Sequence, residues 1–431
     1  MTASFDVQPQ SETPIGGFQI HEATPVRERA RYSPSQSGRL DYIDTLRGAA
    51  AVQVLLSHAM LAFFPGVALA SPLSGALLGY VAATPLFFAL DGASAVCIFF
   101  VLSGYVLTPL FTYSRSTSPA LIFARFTRLA VPALAGCALS AALFQIFAGY
   151  SQTAGAFAGS QWLAEQWRPS AELWFLKDAL VNGLLLGFRG ASILQWFGFP
   201  PSALASMSDS YMSPLWTLSI EFYGSILILI VARSRSWLLL VAASIVLSRT
   251  YLLCFLAGHL AARFHLGDKR PATPWPLAAG LATLGIMVCM ASHFWSPSPV
   301  LKFCALSAQI LPPCPIGTPA YLMRVYGAAI FVGGVMQCEP VRALLSRKGL
   351  RGLGRLSFPI YLTHWPIIFG VGSFLLVASA PWIGPKAARC IALIASVVLT
   401  AFAATYFERI DQFALRLSRA LRQRKTAAAS E

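Results

Sequence analysis

The sequence is short of charge. Of its 431 residues only 11% are Asp, Glu, Lys or Arg, while 56% are hydrophobic and the mean hydropathy is +0.63. An ordinary soluble domain carries about 25% charged residues. A chain this poor in charge cannot cover a water-facing surface of its own size, which excludes a string of soluble domains. Disorder, a collagenous repeat and a small disulfide-stapled scaffold fall to the same figures. Acidic residues are scarcer still, 17 Asp+Glu against 32 Lys+Arg, for a net charge of +15. That balance would suggest nucleic acid in a soluble protein. Here the aromatics lie inside apolar runs and not among the basic clusters, which argues against nucleic acid.

Other signals are missing too. The eight cysteines include no CxxC and no metal-like pairing with histidine, so no metal is expected. Cys97, Cys137, Cys254, Cys289, Cys338 and Cys390 fall in or beside apolar runs and read as small packing residues. Cys304 and Cys314 share one loop and can bridge if it faces an oxidising compartment. The first forty residues are polar, hold Arg27, Arg29, Arg31 and Arg39, and lack the apolar core of a cleavable signal peptide. No internal repeat is visible.

What remains is an all-α polytopic transmembrane helical bundle. Apolar runs lie at about 45–64, 88–111, 129–150, 214–232, 237–249, 250–266, 274–294, 320–338, 357–379 and 386–408. The pair within 237–266 reads either as a tight helical hairpin or as one long tilted helix. Charge decides for ten spans. With both termini cytoplasmic, the inner segments hold 23 of the 32 basic residues and the outer ones seven, with Arg47 and Arg324 inside spans. Merging the hairpin would place the Arg-rich 342–355 stretch outside. The expected organisation is a disordered cytoplasmic arm over 1–40, a membrane domain over 41–410 and a basic cytoplasmic tail over 411–431, in the inner or plasma membrane. The outer segment 151–213 contains a helical-looking stretch from Ala171 to Phe188 with Trp162, Trp167 and Trp196 nearby, a pattern that suits a helix lying in the interface. The basic inner loop 339–356 is placed to meet anionic lipid headgroups.

Ionisable residues inside spans are costly unless paired or hydrated, so they mark function. In LDYIDTLRGAAAVQVLLSHAML, Asp44 and Arg47 are three apart and share a helical face on which they can pair. His58 follows Arg47 by eleven residues, almost a whole number of turns, and so lies in line with it roughly 16 Å deeper. An imidazole at that depth suits acid–base chemistry, although a histidine hydrogen-bonded between helices is equally compatible. In ARFTRLAVP, Arg125 and Arg128 share a face at the cytoplasmic edge. They suit a phosphorylated ligand, or serve as topogenic arginines that reach for headgroups. Glu221 sits seven residues past Pro214 in SPLWTLSIEFYGS, a lone carboxylate in an apolar helix, with Thr217 and Ser219 able to bond to it or to backbone and Trp216 and Tyr223 as packing groups or interface anchors. In LSFPIYLTHWPII, Pro359 and Pro366 frame His364 and free backbone carbonyls, which places His364 toward a central cavity or in a structural role. Ser103-Gly104 in FFVLSGYVLT permits close helix contact.

At these residues the sequence resembles the acyltransferase-3 family of integral membrane acyltransferases. The likeness covers most of the chain after residue 40. Asp44, Arg47, Gly48 and His58 resemble its D-x2-R-G and Arg-x10-His pattern. FFVLSGYVLT and the Arg-x2-Arg pair of Arg125 and Arg128 follow in the family's order. LWTLSIEF resembles its W-S-L-S-x-E segment and YLTHWPI its Y-L-x-H motif. It departs at one place: Glu221 runs straight into Phe222-Tyr223, where many members carry a second acidic residue and a glutamine.

The resemblance implies transfer of an acyl group, commonly acetyl, from cytoplasmic acyl-CoA as co-substrate to a hydroxyl of a carbohydrate or other small acceptor. His58 would then be general base or transient acyl carrier. Arg47, paired with Asp44, would fix the first span or help to bind the donor, Arg125 and Arg128 would hold the CoA phosphates, and Glu221 would orient His58 or bind acceptor hydroxyls. Trp216, Ser219, Tyr361 and His364 are the candidates for substrate contact. This reading requires the His58 imidazole to share a water-accessible chamber with the guanidiniums at the inner rim. The alternative, a secondary transporter or exporter of a small polar solute, shares the span count and the buried ionisable groups, but such proteins usually show a repeat between halves.

Overall fold

In a computed structural model of the chain, the described residues are 41–68, 84–170, 174–264, 273–291, 302, 306 and 319–427. The expected amino-terminal arm and the Cys304–Cys314 pair lie outside them. The described residues contain helices and no strand. Ten principal helices follow one another: α1 Asp41–Phe63, α2 Gly92–Tyr113, α3 Ser118–Phe147, α4 Trp216–Ser234, α5 Trp237–Val246, α6 Leu252–Arg263, α7 Trp275–Cys289, α8 Pro319–Gln337, α9 Ser357–Pro366 and α10 Pro385–Ala427.

Local chemistry sets several of their ends. Asp41 and Asp44 stand in the first turn of α1, where a carboxylate meets the positive end of the helix dipole. Asp91 caps α2, its carboxylate accepting from the Ser94 N–H at 3.3 Å. α3 and α10 begin with proline in the first turn, where the missing N–H is harmless. The chain does not stop at the end of α9. Pro366 lacks an N–H for the helical ladder, and the helix widens there into a π segment, Ile367–Gly372, before continuing as Ser373–Ile383.

Six helical segments are long and apolar enough to cross a membrane: Asp41–Phe63, Gly92–Tyr113, Ser118–Phe147, Ser213–Ser234, Ser357–Ile383 and Pro385–Arg422. A seventh is added if α8 and the following Glu339–Leu345, bent by 89° against it, form one span. The stretch 237–266 holds two separate helices, α5 and α6, and not one long one. Together with α7 these are short, roughly 15 to 23 Å at 1.5 Å per residue, against about 30 Å of hydrocarbon. The expected count of ten therefore depends on these three.

Small residues bring the helices together, as they do where lipid offers no hydrophobic drive for association. A Cβ on Gly104 of α2 would strike the backbone of Phe255 on α6, and one on Gly258 of α6 would strike the Val101 carbonyl of α2. Five of the six described cysteines are buried, and Cys390 is exposed on α10. α10 runs unbroken through the expected boundary at residue 410.

The segment between α3 and α4 folds into the end of the bundle. Helical structure runs from Phe175 to Leu186, within the expected stretch. Trp167 is buried, so it is a packing residue and not an interface anchor. The Asp178 carboxylate is fully buried and accepts from the Ser210 hydroxyl at 2.8 Å, the Tyr211 N–H at 2.9 Å and the Asn182 amide at 3.3 Å. Burial pushes this carboxyl above the ordinary carboxylate range, and the hydrogen bonds pull it only partway back. The Tyr211 carbonyl accepts in turn from the Trp167 indole at 2.9 Å and from the Ser140 hydroxyl of α3. Ser160 donates to the Leu61 carbonyl of α1 at 2.7 Å. These bonds hold Ser160 against α1 and Tyr211, with Trp167, against α3.

Candidate active site

A partly open cavity lies between α1, α2, α3, α4 and α9. Arg47, Arg125, Arg128 and Glu221 give it its charge. Val96, Phe99, Phe100, Leu129, Leu218 and Phe358 form an apolar wall, and Thr217, Ser357 and Tyr361 complete it. Four of the residues singled out in three sequence motifs, together with Tyr361 of a fourth, thus surround one space.

Each cation is held differently. Arg125 makes an ion pair with Glu221, and its Nε donates to the Ser225 hydroxyl at 2.9 Å. Ser225 donates to the Glu221 carbonyl at 2.6 Å, and Ser103 reaches the Glu221 carboxylate at 3.5 Å. Glu221 is thus in contact with Arg125 and Ser103 and makes no hydrogen bond or ion pair with His58. Arg128 grips Asp411 of α10 with both prongs, at 2.6 and 3.1 Å, while its guanidinium lies 5.4 Å over the Phe358 ring. Arg47 forms no ion pair within 4 Å and no hydrogen bond among the described residues, and its Nε is buried without a partner. Asp44 and Arg47 make no contact ion pair, although the two charges on this face still act on each other electrostatically. Asp44 is exposed at the rim, its backbone against Gly354, whereas Arg47 turns into the cavity. The glycine that follows Arg47 has a steric reason: a Cβ on Gly48 would lie 2.5 Å from the Leu353 backbone. Two glycines, 48 and 354, let α1 and the short helix Arg351–Arg355 meet backbone to backbone, and Asp41 pairs with Arg351 across the same contact at 2.8 Å.

The histidines meet one turn beyond the cavity. His58 Nδ1 and His364 Nε2 are 2.8 Å apart, with the rings stacked at 5.1 Å and 16°. His364 is fully buried, and its Nδ1 lies 3.2 Å from the Ile360 carbonyl. His58 is half-buried. Trp162 stacks on it at 5.4 Å and Trp365 meets it edge-on at 5.6 Å. Tyr361 stands between the two regions. It lines the cavity, its ring lies 5.8 Å from that of His364, and its hydroxyl is 2.6 Å from the Pro214 carbonyl and 2.7 Å from the Thr217 hydroxyl. His58 is not among the residues that line the cavity; Tyr361, which lines it, and His364, which contacts His58, stand one turn apart on α9.

Two other candidates lie elsewhere. Trp216 packs on Tyr251 at 5.5 Å, and Ser219 is buried with its hydroxyl donating to the Trp216 carbonyl at 3.1 Å; neither lines the cavity. Asp411 and Trp162 join the site from parts of the chain that carried no motif. Asp411 had one signal, an acid in a long basic and apolar helix, and Trp162 had none beyond its ring. Among the described residues no three His, Cys, Asp or Glu side chains gather as a metal would require.

The arrangement sets a cation-lined cavity beside a largely buried imidazole hydrogen-bonded to a second one. A family model described as an acyltransferase domain, that of acyltransferase-3, matches residues 40–405. No curated protein and no solved structure matches the chain.

Proposed function

The chain belongs to the acyltransferase-3 family, a family of acyltransferases and here a multi-pass membrane one, and on that premise we propose that it moves an acyl group, acetyl by preference, from cytoplasmic acyl-CoA to a hydroxyl of a carbohydrate or related acceptor. The observation that carries this reading is the succession along α9. Tyr361 walls a cavity with three guanidiniums, and His364, one turn on, is bonded to His58.

The phosphates of the donor enter the cavity. Arg47 offers them a buried Nε that has no other partner, and an orphaned buried donor gains most from a charged acceptor. Arg125 and Arg128, each already holding a carboxylate, add positive potential and keep a fixed shape. The pantetheine arm lies along the wall of Phe99, Phe100 and Phe358. Its thioester passes Tyr361 toward His58. Basic residues cluster at this end of the bundle, and so the cavity opens to the cytoplasm, in the inner or plasma membrane.

At His58 the nitrogen not engaged by His364 takes the proton from the acceptor hydroxyl as its oxygen attacks the thioester carbonyl carbon. The C–S bond then breaks, and the departing thiolate takes the proton from the imidazolium. The site supplies only the base and the geometry.

Incubating the purified protein with acetyl-CoA labelled in its acetyl group tests the reading. Label moves to water or to an added glycoside acceptor, and His58→Ala reduces the rate by about 100-fold or more. Transfer undiminished in that variant removes His58 as base.

A further inference from the structure

We propose that His364 is the positioning residue of the transfer: by accepting a hydrogen bond from His58 it fixes that ring's tautomer and leaves His58 Nε2 as the reacting nitrogen. This rests on the reading of His58 as base and adds the atom and the group that selects it.

The argument is one of donors and acceptors. A carbonyl oxygen can only accept, so the contact of His364 Nδ1 with the Ile360 carbonyl places the proton on His364 Nδ1. A neutral imidazole has one N–H, so His364 Nε2 carries the lone pair. The 2.8 Å contact to His58 Nδ1 is then a bond in which His58 donates. The His58 proton therefore sits on Nδ1, and Nε2 faces away with its lone pair free. The opposite order would set two lone pairs against each other at the Ile360 carbonyl.

The second ring is held firmly enough to impose this order. His364 is fully buried, packed beside Tyr361 at 5.8 Å, and anchored to a carbonyl of its own helix four residues back. Among the described residues no carboxylate contacts either ring. Acyl-transfer triads use a carboxylate to hold the base in its tautomer, and disturbing that group costs up to about 10⁴ in rate. Here a neutral imidazole fills the place. It donates orientation without a counter-charge, and a proton arriving at His58 leaves the pair singly positive within the bundle.

The test uses the different reach of two amides. A glutamine side chain sets its amide near the position of imidazole Nε2, whereas asparagine sets it near Nδ1. His364→Gln keeps an acceptor for His58, His364→Asn keeps only the contact to Ile360, and His364→Leu keeps neither. With acetyl-CoA as probe and purified full-length protein, His364→Gln is expected within about tenfold of the parent kcat. Asn and Leu fall by about 100-fold or more, with KM for acetyl-CoA changed by less than about twofold. Equal activity of the Gln and Asn variants, or parental activity in Leu, overturns the proposal. Nitrogen NMR of the parent protein labelled at histidine gives a readout that needs no variant to fold. Both rings are expected as Nδ1–H tautomers, and an Nε2–H tautomer at His58 overturns the assignment. Loss of activity in His58→Ala alongside equal Gln and Asn variants defeats only the role of His364, whereas full activity in His58→Ala defeats the reading beneath it.

Discussion

Arg128 and Asp411, 283 residues apart, meet in a two-pronged ion pair at 2.6 and 3.1 Å, with side chains only 16% and 6% exposed. The contact joins the wall of the cation-lined cavity to the final helix. The parallel bonds require the flat fork of arginine. Removing one partner of a buried pair leaves the other charge unpaired and costs about 3–5 kcal/mol, more than the pair itself is worth. Asp411→Ala is therefore expected to lower the thermal unfolding midpoint in detergent far more than the double replacement Arg128→Met with Asp411→Ala. Additive losses would show that the two groups do not act on each other.

Arg47 differs from the other two cavity arginines because among the described residues no carboxylate holds it in an ion pair and its Nε is buried without a partner. A hydrogen bond to a charged group contributes about 1.5–3 kcal/mol. Arg47→Gln is expected to raise KM for acetyl-CoA by about 10- to 100-fold while changing kcat much less. Steady-state kinetics checks this, and an unchanged KM removes Arg47 from donor binding.

Gly48→Ala introduces a Cβ 2.5 Å from the backbone of Leu353, where no flexible side chain can give way. Overpacking of this kind costs about 1–3 kcal/mol. A lower unfolding midpoint is expected, together with reduced turnover because α1 carries both Arg47 and His58. Gly349→Ala, which meets nothing within 4 Å, serves as the control and leaves both unchanged.

Asp178 lies outside the long apolar helices, and its carboxyl is raised by burial. An acid with a raised pKa holds its proton more tightly folded than unfolded. Its contribution to stability is greatest below the ordinary value of about 3.9 and is lost as the pH rises through the raised folded value. Asp178→Asn has no proton to lose. The difference in unfolding midpoint between parent and variant is expected to move in the variant's favour as the pH rises from about 4, and a difference that stays flat with pH contradicts the assignment.

The helical layout was legible because apolar periodicity is local. Nine of the ten apolar runs each overlap one principal helix, the run 357–379 takes in α9, the π segment and Ser373–Ile383, and the turn between α5 and α6 resolves the one ambiguous stretch. Arg125 and Arg128 were legible as a pair because three residues separate them on one face. The same spacing misled at Asp44 and Arg47. A shared face permits a pair, but Asp44 sits at the exposed rim against Gly354 and Arg47 is drawn into the cavity. The partners of the site were illegible for a common reason. Asp411, Trp162 and the bond between His58 and His364 depend on tertiary packing across 100 residues or more, and nothing near them in the sequence records it.

Tyr361 and His364 occupy successive turns of one rigid rod. A replacement that frees the phenol from Pro214 is therefore expected to disturb the imidazole pair as well, since one short helix carries both groups.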